Sequence, residues 1–316
     1  MLPFAFVFPG QGSQSVGMLD AWGSHPEVMR TLAEASDALD QDMALLIKEG
    51  PKEALAMTTN TQPVMLVAGV AAYRVWMAET GLAPVVMAGH SLGEYSALVA
   101  SGALPLSHAA ALVRFRAQAM QDAVPVGRGA MAAILGLDAQ KVMEGCAEAQ
   151  AAFSLDSAEV VEAVNFNDPL QTVIAGSQAA VNKACEVLKA KGAKRALLLS
   201  VSAPFHSRLM KPAAQALREK LANIVLNAPH IPVINNIDVI SETDADRIRD
   251  ALYRQSFGPV RWVECVRAIK ARDVSHIVEC GPGKVLAGLV KRIDAELTGA
   301  SLFDPASLAD VKELLV

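Results

Sequence analysis

Aromatic and charged residues are both scarce in this 316-residue chain, at 5% and 19% of the sequence. The charges are nearly balanced, with 28 Lys and Arg against 33 Asp and Glu, and no long basic run is present. A net charge of −5 without a basic patch argues against nucleic-acid binding. Hydrophobic residues make up 52% of the chain, which indicates a folded protein of one large domain with an insertion, or of two domains.

Cysteine is equally sparse and is not arranged for metal binding. The four cysteines form no C-x-x-C pair and have no histidine cluster beside them (Cys146, Cys185, Cys265, Cys280). Scattered cysteines of this kind predict reduced thiols rather than disulfides or metal ligands. We therefore expect no metal site.

The chain also lacks a long uninterrupted apolar run. The longest, "PVMLVAGVAAYRVWMA", is broken by Arg74 well short of the roughly 18–20 residues that span a bilayer. The stretch "MLPFAFVFPGQG" has no Lys or Arg before its apolar part and leads into a turn, so we expect no signal peptide. These features predict a cytoplasmic protein that does not associate with membranes.

Strand-like and helix-like segments alternate along most of the chain. "FAFVFPG" and "PVVMAG" predict buried strands, Pro63 predicts the start of a long helix, and "SLGEYSALVASG" and "PLSHAAALVRFRAQAMQ" predict further helices. This alternation is typical of an α/β fold with a parallel sheet. Later segments predict a strand at 231–236, a helix near 245–256, a strand in "HIVECGPG", and a short strand and helix at the tail.

A different order of elements begins near residue 126. Four short strand-like runs and two helical patterns, around 138–151 and 178–191, follow as strand, helix, two strands, helix, strand. That is the order of a ferredoxin-like unit. We therefore predict a catalytic core of residues 1–125 and 201–316, with a small inserted subdomain at 126–200.

The stretch "VVMAGHSLGEYSALVA" places Ser91 at the centre of G-x-S-x-G. An apolar run ends at Ala88 and a helical pattern follows Ser91, as in the strand–turn–helix arrangement of a nucleophile elbow. The glycines permit a tight turn, and the helix N-terminus supplies backbone N–H groups where an oxyanion would form. The alternative is that Ser91 is only a helix N-cap.

A nucleophilic serine needs a base, and the chain has six histidines. His206, in "SVSAPFHSRLMKP", follows a predicted strand and is flanked by small residues. His90 is adjacent to Ser91, but neighbours in an elbow point apart; the others lie in polar or helix-edge contexts (His25, His108, His230, His276). No aspartate stands out as a third member, so a carbonyl oxygen could orient the imidazole instead.

Two arginines lie two residues apart in "LVRFRAQAMQ". Arg114 and Arg116 therefore face different sides of a helix, so one can point inward among Ala and Met. A buried guanidinium is costly unless it is paired. The residues alone leave open whether the partner is a nearby carboxylate or an anionic ligand. Gln11 in "PGQG" likewise permits two interpretations, a backbone donor near a ligand or an ordinary tight turn.

Five motifs occur in order along the chain: "FVFPGQGSQ", "GHSLGEYSAL", "RFRAQAMQ", "SAPFHSRLM" and "VECGPGKVL". With them the chain resembles, over essentially its full length, the malonyl-CoA:acyl carrier protein transacylases of bacterial fatty acid synthesis. The resemblance implies an α/β-hydrolase-like core with an inserted ferredoxin-like subdomain. It implies malonyl-CoA and an acyl carrier protein as partners and no cofactor, and we expect a monomer.

The resemblance also implies catalytic roles. Ser91 would be the nucleophile and His206 its general base, with a main-chain carbonyl at Gln255 orienting the imidazole. Gln11 and the backbone N–H of Leu92 would form the oxyanion hole. A dyad of this kind would account for the missing acidic partner.

For substrate binding, the resemblance implies that Arg116 holds the malonyl carboxylate with a bidentate guanidinium fork. Met120 completes the R-x-x-x-M spacing. Two further positions would line the acyl pocket, and three in the small subdomain would lie near the pantetheine or CoA (Gln62, Val285; Asn165, Asn167, Gln171).

Three alternatives remain from the sequence. An esterase or thioesterase of the α/β class uses the same elbow, but the missing aspartate and the Arg116 helix favour a transferase. A discrete acyltransferase of a polyketide pathway has the same chemistry. A degenerate homologue that only binds a carrier protein is disfavoured because Ser91, His206, Gln11 and Arg116 are all present.

Overall fold

A computed structural model of the chain describes residues 2–154 and 157–316. In chain order its strands and helices are β1 (Phe4–Phe8), α1 (Pro26–Leu39), α2 (Met43–Glu49), α3 (Lys52–Ala56), α4 (Thr58–Thr80), β2 (Val86–Gly89), α5 (Gly93–Ala100), α6 (Leu106–Asp122), β3 (Gly129–Leu135), α7 (Ala139–Ala151), β4 (Val161–Asp168), β5 (Gln171–Ser177), α8 (Gln178–Ala190), β6 (Arg195–Leu198), α9 (Lys211–Leu221), β7 (Val233–Ile234), α10 (Ala245–Gln255), α11 (Trp262–Lys270), β8 (His276–Cys280), α12 (Val285–Ile293), β9 (Thr298–Leu302) and α13 (Pro305–Leu315).

The larger sheet has five strands in the order β7–β2–β1–β8–β9, and every neighbouring pair is parallel. Side chains of β1 alternate between its two faces. Phe4 and Phe6 pack edge-on against Trp76 of α4, whereas Ala5 and Val7 belong to the apolar cluster on the other face, with Trp262 of α11. Helices therefore cover both faces, as a parallel sheet requires.

The smaller sheet is antiparallel, with the strand order β4–β5–β3–β6. Helices α7 and α8 pack on it around their own apolar cluster. This is the ferredoxin-like arrangement, so the predicted fold class is confirmed. Because all four strands lie within 129–198, we propose 126–200 as the small subdomain and 1–125 with 201–316 as the core.

Edge strand β4 joins the smaller sheet to the core. Asn165 pairs in parallel with Val260, the Phe166 N–H donates to the Val260 carbonyl at 3.0 Å, and the Val260 N–H donates to Val164 at 2.8 Å. This bridge brings the end of β4 next to the core residues that follow β2.

The beginning of α4 differs from the sequence prediction. The helix begins at Thr58, five residues before Pro63, which lies inside it. Proline removes one N–H donor near the helix start, where the remaining turns tolerate the loss. The polar segment "TTNTQ" lacks apolar periodicity, and so its helical conformation could not be predicted.

Other differences concern the C-terminal half. Helices α9, α11 and α12 were not predicted, and β7 is only two residues long within the predicted strand at 231–236. Among the described residues, no helix is both long and apolar enough to cross a membrane.

Two glycines bring the ends of β1 and β2 into backbone contact with the start of α5. A Cβ on Gly93 would lie 2.0 Å from the Phe8 carbonyl oxygen, and one on Gly89 would lie 1.9 Å from the Gly93 carbonyl carbon. No side chain fits there without moving the backbone. The turn between β2 and α5 therefore depends on both glycines.

We expect Gly93→Ala to lower the free energy of unfolding by about 3 kcal/mol or more, because the clash is with main-chain atoms. Gly288→Ala in α12 is the matched control, since no described atom outside the neighbouring helix backbone lies within 4 Å of its added Cβ. That variant should gain about 0.5–1 kcal/mol from helix propensity. Urea denaturation measures both; equal midpoints for Gly93→Ala and the parent protein would contradict the packing described.

Candidate active site

Residues that follow three neighbouring strands of the larger sheet meet at one edge. Gln11 follows β1, Ser91 follows β2 and Asn236 follows β7. Because the strands are parallel, their carboxyl ends lie at the same edge, where α/β proteins bind their ligands. The predicted nucleophile therefore occupies the expected edge.

Ser91, His206 and Gln255 form a hydrogen-bonded chain. Ser91 Oγ lies 2.7 Å from His206 Nε2, and His206 Nδ1 lies 2.8 Å from the main-chain oxygen of Gln255. A carbonyl oxygen only accepts, so Nδ1 carries the proton and Nε2 presents its lone pair to the serine. Both Ser91 (φ +53°) and His206 (φ +66°) have left-handed backbones, which non-glycine residues rarely adopt.

Arg116 lies beside this chain and is only 2% exposed. Its Nη1 donates to Gln62 Oε1 at 2.8 Å, and its Nη2 donates to Gln255 Oε1 at 3.1 Å and reaches Ser91 Oγ at 3.3 Å. The guanidinium carbon is 5.4 Å from the centroid of the Tyr95 ring. In the described part of the chain no carboxylate forms a salt bridge with this arginine.

The elbow itself is held by a buried amide and a buried carboxyl group. Asn236 accepts the Ser91 N–H at 2.8 Å and donates to the Gly89 carbonyl at 2.7 Å. Gln255 Nε2 donates to the Ser91 carbonyl at 2.9 Å. Glu94 Oε2 accepts hydrogen bonds from both of these residues, from the Asn236 N–H at 2.8 Å and from Gln255 Nε2 at 3.0 Å.

The predicted oxyanion donors flank Ser91. The backbone N–H groups of Gln11 and Leu92 have no acceptor within residues 2–154 and 157–316. The Gln11 side chain accepts from Thr58 Oγ1 at 2.7 Å, and Thr58 Oγ1 in turn lies 3.4 Å from Gln62 Nε2. A chain of side-chain hydrogen bonds thus connects the Gln11 loop with Arg116 through Gln62.

Two of the remaining residues predicted to bind substrate, Met120 and Asn167, lie close to Arg116 or to the elbow. Met120 is buried one helical turn after Arg116, in a cluster with Phe205. Asn167 Oδ1 lies 2.8 Å from His90 Nε2, which brings the small subdomain to the elbow.

Three further residues predicted to bind substrate lie outside this buried group. Asn165 keeps a buried Oδ1 without a partner in the described chain, and Gln171 is half-buried at the start of β5. Val285 is 57% exposed at the first turn of α12, so its side chain lies at the surface, apart from the buried residues around Arg116.

Burial controls the protonation of the site. Desolvation, and after it the charge of Arg116, lower the pKa of His206 to about 3. Desolvation also raises the pKa of Glu94 to about 7, although hydrogen bonds from Asn236 and Gln255 and the charge of Arg116 oppose the rise. His206 is therefore a neutral imidazole near pH 7.

Sequence reasoning missed three residues of this network: Glu94, Asn236 and Thr58. Glu94 is the only acidic residue in the apolar stretch "SLGEYSALVA", and Asn236 ends the predicted strand "IPVINN" at the ligand-binding edge. These sequence contexts could have identified Glu94 and Asn236 as candidate site residues. Thr58 carried no such signal, since its helix was not predicted to begin there. No three His, Cys, Asp or Glu residues of the described chain are grouped so that they could hold a metal ion.

Comparisons with known proteins identify the family of the chain. Residues 5–297 match the family described as "Acyl transferase domain". The malonyl CoA-acyl carrier protein transacylase of Escherichia coli K12 is 53% identical over 315 residues, covering 99% of this chain and 100% of that protein. The chain belongs to the malonyl CoA-acyl carrier protein transacylases.

Solved structures of such transacylases share its fold. An acyl-carrier-protein S-malonyltransferase from Burkholderia pseudomallei 1710b is 61% identical with a TM-score of 0.95, and covers 99% of this chain and 100% of that one. A malonyl-transacylase solved in complex with its type II PKS acyl-carrier protein is 48% identical with a TM-score of 0.95, covering 99% of both chains.

We expect His206 to stay unprotonated between pH 8 and pH 5, because its pKa lies at about 3. A lowered pKa means that the neutral form is lost only as the pH falls towards that value. Arg116→Met removes a cation and should raise the pKa of His206, whereas Arg114→Met on the same helix should not. NMR of ¹⁵N-labelled histidine measures this; a wild-type His206 that titrates near 6.5 would contradict the burial described.

Proposed function

We propose that the protein transfers the malonyl group from malonyl-CoA to the phosphopantetheine thiol of acyl carrier protein, through a malonyl ester on Ser91. The observation that carries the proposal is a buried arginine that has no carboxylate partner among the described residues and lies 3.3 Å from the Oγ of a serine that is hydrogen-bonded to a neutral histidine. A serine and its base suit any acyl transfer. The adjacent cation selects an acyl group that ends in a carboxylate.

In the first half-reaction Ser91 Oγ attacks the thioester carbonyl while His206 Nε2 takes its proton. The Gln255 carbonyl accepts from Nδ1–H and keeps the imidazole in the required tautomer. The partial negative charge of this carbonyl oxygen also stabilises the imidazolium that forms. The carbon–sulfur bond then breaks, and the CoA thiolate collects the proton from His206.

The tetrahedral intermediate carries a negative oxygen that needs donors. The backbone N–H groups of Gln11 and Leu92 are free to bind it, and donors of this kind are worth about 3–4 kcal/mol each in other acyl-transfer enzymes. The helix N-terminus of α5 adds positive potential at the same position.

Arg116 has hydrogen-bonding capacity to spare for the malonyl carboxylate. Of its five N–H groups, one on Nη1 and two on Nη2 are directed at Gln62, Gln255 and Ser91, and Nε has no partner within the described residues. Attack by Ser91 turns its Oγ towards the thioester and releases the long contact to Nη2. A carboxylate can then take two parallel bonds while both glutamines stay in place.

In the second half-reaction the pantetheine thiol of the carrier protein gives its proton to His206 and attacks the ester carbonyl. The ester C–O bond then breaks, and Ser91 Oγ takes the proton back from His206 Nε2. Asn165 and Asn167 lie on β4, which reaches the elbow through the contact between Asn167 and His90, and Gln171 begins the neighbouring strand β5. We propose that these three residues bind the pantetheine, with Gln62 and Met120 behind the acyl group and Val285 at the rim. No step in this sequence calls for a metal or cofactor.

The biological setting that we propose is fatty acid biosynthesis in the cytoplasm. Polyketide synthesis is the second candidate, because one relative of known structure is in complex with a type II PKS acyl-carrier protein. The chemistry is the same in both, and the carrier protein that accepts malonyl faster distinguishes them. An esterase or thioesterase would instead release free malonate steadily in the absence of any carrier.

Incubation with malonyl-CoA should add one malonyl group to the protein, detected by intact mass. Ser91→Ala should abolish the adduct, and carrier protein with its phosphopantetheine arm should remove it from the wild type. His206→Ala should slow adduct formation about 10²–10⁴-fold, the usual contribution of a general base. A wild-type protein that forms no adduct would leave only the role of a non-catalytic carrier-binding homologue.

Arg116→Ala should reverse the choice of acyl donor. Loss of a charge-assisted bond to the malonyl carboxylate costs about 1.5–3 kcal/mol, so kcat/KM for malonyl-CoA should fall at least tenfold. The value for acetyl-CoA, which has no carboxylate, should hold or rise. Arg114→Ala is the matched control, because Arg114 bonds Gln41 instead of the site; unchanged malonyl preference in Arg116→Ala would refute the role of this arginine.

A further inference from the structure

Glu94 accepts hydrogen bonds from Asn236 and from Gln255, the two residues that bind the Ser91 backbone, and neither the Ser91 side chain nor Arg116 is among its hydrogen-bond partners in the described chain. It is 2% exposed, and its Oε2 accepts from the Asn236 backbone and from the Gln255 side chain. We propose that Glu94 is a positioning residue that sets the preference for malonyl over acetyl groups by orienting the Gln255 amide towards Arg116. This rests on the proposed malonyl transfer.

The Gln255 amide has to face in one direction to serve all of its neighbours. Its Oε1 accepts from Arg116 at 3.1 Å, while its Nε2 donates to the Ser91 carbonyl and to Glu94. A flipped amide would point N–H groups at a guanidinium, which only donates, and an oxygen at two acceptors. Every contact would then be repulsive.

Arg116 alone does not fix this orientation, because its Nη2 has a second acceptor in Ser91 Oγ. The Ser91 carbonyl oxygen favours the observed orientation, because it accepts a hydrogen bond from Gln255 Nε2. Glu94 supplies the other acceptor, and it is buried together with the amide. Removing the Glu94 carboxyl leaves the Gln255 amide freer to rotate. Arg116 Nη2 then no longer has Gln255 Oε1 as a fixed acceptor.

The second arm of the network reaches the elbow through Asn236. Glu94 Oε2 accepts the backbone N–H of Asn236, whose side chain bonds Ser91 N–H and the Gly89 carbonyl. A buried backbone N–H without an acceptor is costly, so this arm contributes to stability as well. The stability contribution has to be separated from the selectivity contribution in any test.

Both bonds fall on the same oxygen atom, which decides the choice of variants. A glutamine side chain at this position still has one carbonyl oxygen that can accept from Asn236 and from Gln255. Glu94→Gln should therefore keep the orientation, whereas Glu94→Leu removes every acceptor at nearly the same volume. Glu94→Ala removes the acceptor without crowding and is the second variant should Glu94→Leu not fold.

The experiment compares kcat/KM for malonyl-CoA and acetyl-CoA, with intact mass used to follow the acyl-enzyme and thermal unfolding to follow stability. We expect Glu94→Leu and Glu94→Ala to lower the malonyl-to-acetyl ratio at least tenfold, mainly through KM for malonyl-CoA. Glu94→Gln should stay within about threefold of the wild-type ratio. An equal fall of the malonyl-to-acetyl ratio in Glu94→Gln and Glu94→Leu would overturn the proposal. The ratio would then depend on the charge of Glu94 and not on its oxygen acceptor.

Two further variants separate positioning from stability. Leu252→Ala creates a cavity in the core under α10, one turn before Gln255 on that helix. It should lower Tm without changing the malonyl-to-acetyl ratio of kcat/KM. Gln255→Leu keeps the main-chain carbonyl for His206 but removes the amide, so it should reproduce the loss of selectivity. Adding Glu94→Leu to Gln255→Leu should lower the ratio no further.

The outcomes distinguish the two proposals. A wild-type protein without a malonyl adduct would defeat the proposed function itself. A normal adduct in the wild type, together with an unchanged ratio in Glu94→Leu or losses that multiply in the double variant, would defeat only the role of Glu94.

Discussion

The site is organised around a cation buried without a counter-charge in contact. Arg116 is 2% exposed, and its nearest acceptors in the described chain are two amide oxygens and a hydroxyl. Amides satisfy hydrogen bonds but carry no net charge, and the buried Glu94 carboxyl is joined to Arg116 only through the Gln255 amide. A guanidinium without a carboxylate in contact is costly in a desolvated site. On the proposed function, the malonyl carboxylate supplies a counter-charge in direct contact with this cation. Selectivity for an anionic acyl group would then follow from the burial of the arginine as much as from its identity.

The polar network also holds two strained backbones in place. Ser91 and His206 both have left-handed φ values, a conformation that costs about 1–3 kcal/mol for each such residue. Asn236 binds the Ser91 N–H, and Gln255 binds both the Ser91 carbonyl and the His206 ring. Gln255 also accepts from Arg116, so the residue that holds Ser91 and His206 in place connects both of them to the arginine.

Local signals in the sequence were enough to predict the elbow, the parallel sheet and the order of elements along the small subdomain. Gly89 and Gly93 indicated the turn, and short apolar runs indicated the strands. Long-range partnerships could not be predicted in this way, because Asn236 bonds a residue 145 positions away and Glu94 bonds one 161 positions away. A glutamate on a short helix looks like a solvated residue until the fold buries it. Thr58 was missed for a further reason, since Pro63 concealed the true start of α4.

Arg116 and His206 also influence each other electrostatically, and this links recognition to chemistry. The charge of Arg116 is the second cause of the low pKa of His206, after burial. With a malonyl carboxylate on Arg116, that charge is compensated and the imidazole becomes a stronger base. A donor without a carboxylate leaves the cation unpaired and the base weak. On the proposed function, the arginine thus discriminates twice, by binding the malonyl group and by making the histidine more basic once that group is bound.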